Sequence, residues 1–454
     1  MKSREEIVAT DRKHIWHPFT QMKDYEDIDP VVITRGKGIF IYDEAGNEYY
    51  DTISSWWVNI LGHCHPRISN AVKKQLDTLE HVNFSGFTHP YATELIEELN
   101  DIMPEGMGRY FFSDNGSTAI EVAIKMAYQY WLNKGQPKKT KFVMLNNSYH
   151  GDTLGATSVG AVDIFHKIYK PLMFDSFRVK APYEFPYDRE FTYDAMDQYN
   201  PAVFEPMRET IEAHAGEIAA VIIEPILQGA GGLKIYHPQY LLDLRKCADE
   251  NNVLIICDEV ATGFCRTGKM FAFQHAEGFI PDIFAVSKAL TGGYLPMALT
   301  ITNEEVYSAF YGDAMSTFFH GHSYTGNPLA CVAATETMKI LKELKMPESC
   351  GDLFDYFQQK VRDMAQFDFV GDIRYKGLIG AIDIVRSRKD GIDFEASEKI
   401  TFKIYQESLK HGLVMRHLGN SIYWWLPMIV TKDDIDEIFK RTIAVVQKVV
   451  AEHA

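Results

Sequence analysis

Apolar positions along the chain follow two periods. Short unbroken apolar runs occur at "RYFF" (109–112), "KFVML" (141–145), "AAVIIEP" (219–225), "VLIIC" (253–257) and "DIFAVS" (282–287). Runs of this length read as strands buried on both faces. Between them the spacing becomes helical. In "STAIEVAIKMAYQYW" (117–131), Ile120, Ile124, Ala127, Tyr128 and Trp131 recur on one face. Alternation of this kind over residues 66–335 predicts an α/β fold, a mostly parallel sheet flanked by helices.

Upstream, "GIFIYDEAGNEYYD" (38–51) predicts a β-hairpin turning at Ala45-Gly46-Asn47. After residue 335 a long helical stretch leads to "VGDIRYKGLIGAIDIV" (370–385), another helix and "GLVMRHLGNSIYWWLPMIV" (412–430). Short strands mixed with helices predict a smaller α+β domain. The expected division is 1–65 as a segment contributing to the small domain, 66–335 as the large domain and 336–454 as the small domain. Residues 160–215, with "PYEFPYDREFTYD", are rich in Pro and Tyr and are expected to form a long surface excursion.

Composition narrows the partners. The 454 residues carry a net charge of −16, which disfavours nucleic acid or an anionic membrane as the main partner. No apolar run is long enough to span a bilayer. The charged start "MKSREEIVATDRKH" lacks a secretory apolar core. Six cysteines without paired spacing read as reduced thiols, which excludes a disulfide framework, gives no metal site and points to a cytoplasmic protein.

Chemistry concentrates where strands end, the place at which parallel α/β sheets bind ligands. "RYFF" is followed by Ser113-Asp114-Asn115-Gly116-Ser117, opening a helix. "KFVML" is followed by "NNSYHGD" with Tyr149 and His150. "VLIIC" runs into Asp258, and "DIFAVS" into Lys288 and the turn "TGGY". Each also has a structural reading: a helix cap, packed aromatics, an acid ending a strand, a lysine reaching from the rim. Glu224 before Pro225 could likewise simply end its strand. Taken together they specify one ligand. A helix N-terminus suits a phosphate. An aromatic side chain can stack on a ring, a carboxylate suits a pyridinium nitrogen, and a lysine forms a Schiff base with an aldehyde. That set describes pyridoxal 5'-phosphate (PLP).

"ICDEVATGFCRTGKMFAFQH" (256–275) and "PDIFAVSKALTGGYLPMALT" (281–300) resemble the signature of class III, fold-type-I PLP aminotransferases, and the resemblance spans nearly the whole chain. "HIWHPFTQM" (14–22), "SSWWVNILGHCHP" (54–66), "SYHGDTLGATSVG" (148–160), "IIEPILQGAGG" (222–232) and "FFHGHSYTGNPLAC" (318–331) are similar to its biotin-pathway branch. That branch aminates 8-amino-7-oxononanoate to 7,8-diaminononanoate with S-adenosylmethionine or lysine as donor.

The resemblance implies that 66–335 binds PLP and that Lys288 is the Schiff-base and proton-shuttling lysine. It implies that Asp258 pairs with the pyridinium nitrogen, that Asn115, Gly116 and Ser117 hold the phosphate, and that Tyr149 stacks on the ring. It places His322 and Ser323 at the phosphate of the other subunit's cofactor, and so implies a homodimer with composite active sites. Phe19, Trp56, Tyr149, Lys288, Gly321 and Arg416 match substrate-contacting positions. Three residues depart from the family pattern: Ala261 for a usual Gln, Cys265 for a usual Gly, and Phe19 for the Tyr of the S-adenosylmethionine-using branch. Other readings are an ω-amino acid or diamine aminotransferase, a non-catalytic protein on this fold, and a dinucleotide-binding dehydrogenase. No G-x-G-x-x-G follows a strand, which argues against the last.

Overall fold

The structure, a computed structural model, describes residues 2–184, 191 and 198–453. Three short strands come first: β1 (Ile33–Lys37), β2 (Phe40–Asp43) and β3 (Glu48–Asp51). β2 and β3 form the expected hairpin, and Asp43 accepts the N–H groups of Ala45 and Asn47 across its turn. Next are β4 (Met107–Ser113), β5 (Lys141–Leu145), β6 (Phe177–Val179) and β7 (Ile218–Ile223). A small hairpin follows, β8 (Leu227–Gln228) with β9 (Lys234–Ile235). Then come β10 (Leu254–Asp258), β11 (Ile283–Val286) and β12 (Ala298–Asn303).

Seven of these strands make the central sheet, in the order β4-β12-β11-β10-β7-β5-β6. All neighbours are parallel except β12, which runs antiparallel to both β11 and β4. β12 was not among the apolar runs read as strands. Its threonines, Thr300 and Thr302, break the apolar run, yet both are buried and bond to the carbonyls of Ala119 and Asp282. β7, β10 and β11 are buried along their whole length, which is why they read as continuous apolar runs.

Helix α1 (Gly116–Asn133) packs on this sheet. Ile120, Ile124, Ala127 and Trp131 are buried as expected, but Tyr128 is 43% exposed. The buried face instead continues through Ala123 and Tyr130, whose hydroxyl donates to Glu305. The expected excursion at 160–215 falls partly on 185–190 and 192–197, which lie outside the described residues. The remainder is not simply a loop. It supplies β6, an edge strand pairing with β5, and the helix Glu205–His214, which buries Met207 and Ile211. Proline and tyrosine density at 182–193 masked these flanking elements.

The C-terminal part contains β13 (Val370–Lys376), β14 (Ile379–Ile384), β15 (Leu413–Val414), β16 (Arg416–Leu418) and β17 (Ser421–Trp425). An antiparallel sheet runs β13-β14-β17-β16, and β15 pairs in parallel with β3. The first and last parts of the chain therefore share a sheet. A buried charge cluster ties the β8–β9 hairpin to the same region. Arg374, 1% exposed, bonds to Asp372 at 2.8 Å and Asp383 at 2.6 Å, and Lys234 lies 3.6 and 3.4 Å from the same two carboxylates. Two cations facing two carboxylates offset one another's charge, which counters the desolvation that each buried ion costs.

Candidate active site

The carboxyl ends of β4, β5, β7, β10 and β11 converge on a cavity of about 770 Å³. Asn115, Gly116, Ser117, Tyr149, Asp258 and Lys288 all line it, although up to 173 residues separate them in the chain (288 − 115).

At one side is the N-terminus of α1. Asn115 is its cap: the side chain accepts the Thr118 N–H at 3.1 Å, and the Thr118 hydroxyl receives the Asn115 N–H in return. The N–H groups of Gly116 and Ser117 open the helix, where no intrahelical carbonyl can reach them. Gly116 is required by a close approach, since a Cβ there would stand 2.5 Å from Val260 Cγ1. The Ser117 hydroxyl accepts the Asp152 N–H at 3.2 Å.

Opposite lies a buried acidic pair. Asp258, at the end of β10, accepts from His150 Nδ1 at 2.8 Å and from the Val260 N–H at 3.0 Å. Glu224, just past β7, accepts the N–H groups of Tyr149 at 3.0 Å and Gly229 at 2.9 Å. Burial pushes the Glu224 carboxyl up to about 7, with Asp258 adding to the rise and His150 and the two N–H donors opposing it. Glu224 thus fixes the backbone that presents Tyr149. The Tyr149 hydroxyl donates to Asp152 at 2.9 Å, and burial first, then Asp152, raises its pKa.

Lys288 follows β11 with a left-handed φ of +39°. Its amine has no hydrogen-bond or ion-pair partner among the described residues and lies 4.7 Å from the centroid of the Trp57 ring. Burial lowers its pKa to about 8, against the opposing fields of Asp258 and Glu224. Trp57 stacks on Trp425 at 4.5 Å and 15°. It belongs to an unusual turn in which Ser54, Ser55, Trp56 and Trp57 have φ values of 49°, 47°, 74° and 74°. Left-handed backbone costs an L-residue about 1–2 kcal/mol each, so this turn needs support from outside itself. Gly293, at φ +85°, lets a neighbouring turn close on it: a Cβ there would lie 3.2 Å from Asn59 Cα.

Phe19, Trp56 and Arg416 do not line the central cavity. They form a second cluster beside it. Phe19 is edge-on to Trp56 at 5.6 Å and to Phe165 at 5.3 Å, and Phe165 is edge-on to Tyr149 at 6.0 Å. The Arg416 guanidinium sits 3.8 Å over the Trp56 ring and has no acidic partner among the described residues. Gly321, His322 and Ser323 are also away from the cavity within one chain, on a loop held by His81 Nε2, 2.5 Å from the Ser323 carbonyl. Ala261 lines the cavity. Cys265 is fully buried at φ +70°, a conformation suited to glycine.

Sequence reasoning gave no site role to His150, Glu224 or Trp57. His150 was legible only as a neighbour of Tyr149. An acid directly before Pro225, at the end of an all-apolar strand, was the available signal for Glu224. Nothing local marked Trp57, because its place depends on a turn that no propensity predicts.

The donor set fits PLP. Free N–H groups open α1 at the cavity, a buried carboxylate ends β10, and an amine with no partner among the described residues lines the same cavity. The sequence model of class-III aminotransferases matches residues 21–446. The chain is 41% identical over 428 residues to an adenosylmethionine-8-amino-7-oxononanoate aminotransferase from Geobacter sulfurreducens, covering 94% of each. A crystal structure of an enzyme with that name from Methanocaldococcus jannaschii superposes with a TM-score of 0.91 at 35% identity, over 98% of this chain and 99% of the other. An omega transaminase from Pseudomonas jessenii in complex with PMP superposes at 0.90 with 28% identity, over 97% of both chains. By sequence, by fold and by the residues gathered at the strand ends, the chain belongs to the PLP-dependent class-III aminotransferases.

Proposed function

We propose that this aminotransferase converts 8-amino-7-oxononanoate to 7,8-diaminononanoate in biotin biosynthesis, with a cationic amino acid, S-adenosylmethionine or lysine, as donor. The observation that carries this is a chain of aromatic contacts that joins a cation to the cavity. Arg416 lies on Trp56, Trp56 meets Phe19, and Phe19 leads through Phe165 to Tyr149, which lines the cavity with Lys288. A substrate with a ketone, an apolar chain and a terminal carboxylate matches that order. The names of the relatives support the same reading.

PLP, when bound, supplies an electron sink and carries the amino group between the two substrates. The geometry supports a role for each residue. The Gly116 and Ser117 N–H groups, capped by Asn115, would hold the phosphate. Asp258, oriented by His150, would keep the ring nitrogen protonated. Tyr149 would cover the ring. Lys288 Nζ would hold the aldehyde carbon and would move the proton at the reacting carbon. Phe19 offers no hydroxyl to the donor, so donor choice rests on shape and charge there. The test is single-turnover amino transfer with each donor offered separately, then with 8-amino-7-oxononanoate as acceptor. Activity with diamines or ω-amino acids alone would overturn the assignment.

Arg416→Lys is expected to weaken the acceptor half-reaction about tenfold or more, because an ammonium cannot reproduce the planar two-point contact with a carboxylate. The donor half-reaction should change far less. Equal loss in both, measured by single turnover, would assign Arg416 to structure alone.

We also propose a cytoplasmic homodimer with composite sites, built from segment 1–65, large domain 66–335 and small domain 336–454. The β3–β15 pairing supports joining the first and last parts, and the helix Pro328–Glu343 runs through the second boundary. His322 Nε2 is buried with no partner among the described residues, and Phe319 and Tyr324 beside it are 76% and 66% exposed. A second copy would cover both features. Mixing and refolding inactive Lys288→Ala with inactive Ser323→Asp should restore about a quarter of wild-type sites, because half the dimers are mixed and each has one intact site. No recovery would mean that each site is built from one chain.

A further inference from the structure

The segment that carries Phe19 has little of its own to hold it. The helix Arg4–His14 ends with the Ile15 N–H on Asp11 O. Residues 15–21 then run without helix or strand to the short helix Met22–Tyr25. Trp16 is 87% exposed and Phe19 50% exposed, so burial holds them only weakly. Phe19 also has a left-handed φ of +50°, a conformation that an L-residue keeps only under restraint from outside. One restraint is the contact of its ring with Trp56 and Phe165.

The other is a polar staple across the base of this strap. Asp11 accepts from His17 Nε2 at 3.0 Å and from the Tyr25 hydroxyl at 2.7 Å. A carboxylate only accepts, so the His17 proton stands on Nε2. The His17 and Tyr25 rings pack on each other at 4.6 Å, and Tyr25 is 8% exposed. The His17 bond holds the Asp11 carboxyl below the usual carboxylate range against the effect of burial, with Tyr25 assisting. Arg12 Nη2 donates to Ile28 O at 2.7 Å and Lys399 Nζ to Asp24 at 2.6 Å, which fixes the flanks of the staple. Asp11 sits in the last turn of its helix, where the helix dipole disfavours an anion. Helix stability alone would favour a neutral or basic side chain there, as Arg12, Lys13 and His14 are. The acid is explained by the two donors it gathers from either side of Phe19, 6 and 14 positions further on.

We infer that Asp11 is a positioning residue: through His17 and Tyr25 it closes the strap 12–24, and so fixes where the Phe19 ring stands against Trp56 and Phe165. The carboxylate suits the task because its two oxygens serve both donors at once. The kinetic effect rests on the reading of Phe19 as part of the acceptor's wall, while the closure of the strap stands apart from any substrate.

The experiment is a double-mutant cycle on the holoenzyme with Asp11→Ala, Phe19→Ala and the two combined, read by steady-state kinetics and by trypsin cleavage at Lys13 and Lys23, which flank the strap. Alanine at 11 favours the helix, so this variant should fold. Asp11→Ala should raise the KM for 8-amino-7-oxononanoate about fivefold, with kcat within about twofold. In the Phe19→Ala background the same change should shift KM by less than about twofold, because a missing ring cannot be misplaced. Cleavage at the two lysines should become about fivefold faster in Asp11→Ala, with the rest of the chain as resistant as before. Tyr25→Phe removes one donor of the two and should move KM and cleavage the same way by less; it carries the same cycle if Asp11→Ala does not accumulate as folded protein. Unchanged cleavage in both variants overturns the inference, as do equal KM effects with and without Phe19, or failure of both variants to fold. Faster cleavage with an unaltered KM in Asp11→Ala and in Phe19→Ala would uphold the closure of the strap and refute Phe19 as an acceptor contact.

Discussion

Lys288→Ala is expected to lower turnover by at least about 10³-fold while still binding PLP, because one amine both anchors the cofactor and moves the proton at the reacting carbon. The cavity offers no substitute within reach. Tyr149's hydroxyl is committed to Asp152, and His150 Nδ1 to Asp258. Borohydride reduction of the wild-type holoenzyme should fix the cofactor to Lys288, seen by peptide mass. Labelling of another lysine would sink the assignment.

The same residue has a signature without cofactor. Its folded pKa is lowered from 10.5 to about 8 by burial. Between those values the unfolded chain holds a proton that the folded apoprotein has released. Raising the pH through that window therefore favours folding. Below about 8 both states are protonated, and the burial penalty is present in full. Lys288→Ala apoprotein should thus be the more stable of the two at pH 7, with the difference shrinking as pH rises from 8 to 10.5. A Lys288→Ala advantage that stays constant or grows in that range, in denaturant titrations, would contradict the lowered pKa.

Asp258→Asn is expected to reduce both half-reactions by about 10²-fold or more, through loss of the charge that keeps the ring nitrogen protonated. The amide keeps the shape: its oxygen can still accept the Val260 N–H, and its NH2 can donate to His150 Nδ1 in the other imidazole tautomer. The defect should therefore be electronic rather than structural. Reconstitution with a cofactor methylated at the ring nitrogen, which carries a permanent positive charge, should restore much of the rate in Asp258→Asn. Failure of that rescue, with the fold intact, would place the role of Asp258 elsewhere. Removing this charge should also lower the Glu224 pKa, because Asp258 is one cause of its rise.

The strand ends were legible in the sequence because local physics marks them. A carboxylate ending "VLIIC" and a lysine ending "DIFAVS" stand out against runs that must be buried on both faces. The N-cap at Asn115 announces itself before a helical face. Strand order and orientation were not legible in the same way. β12 hides behind Thr300 and Thr302, whose hydroxyls are satisfied only by carbonyls far away in the chain. The resemblance to a family singled out Trp56 and Arg416, but their contact joins residues 360 positions apart (416 − 56). Phe19 reaches the same cluster through Trp56 and Phe165, 37 and 146 positions away (56 − 19, 165 − 19). The turn at Ser54–Trp57 is the clearest case. Serine and tryptophan have no preference for left-handed backbone, so no local rule predicts four such residues in succession. The turn is held by Asp51, Arg266, the carbonyl of Trp425 and the close approach of Gly293. Sequence chemistry determined which groups this protein could use; long-range packing alone decided how far apart they stand.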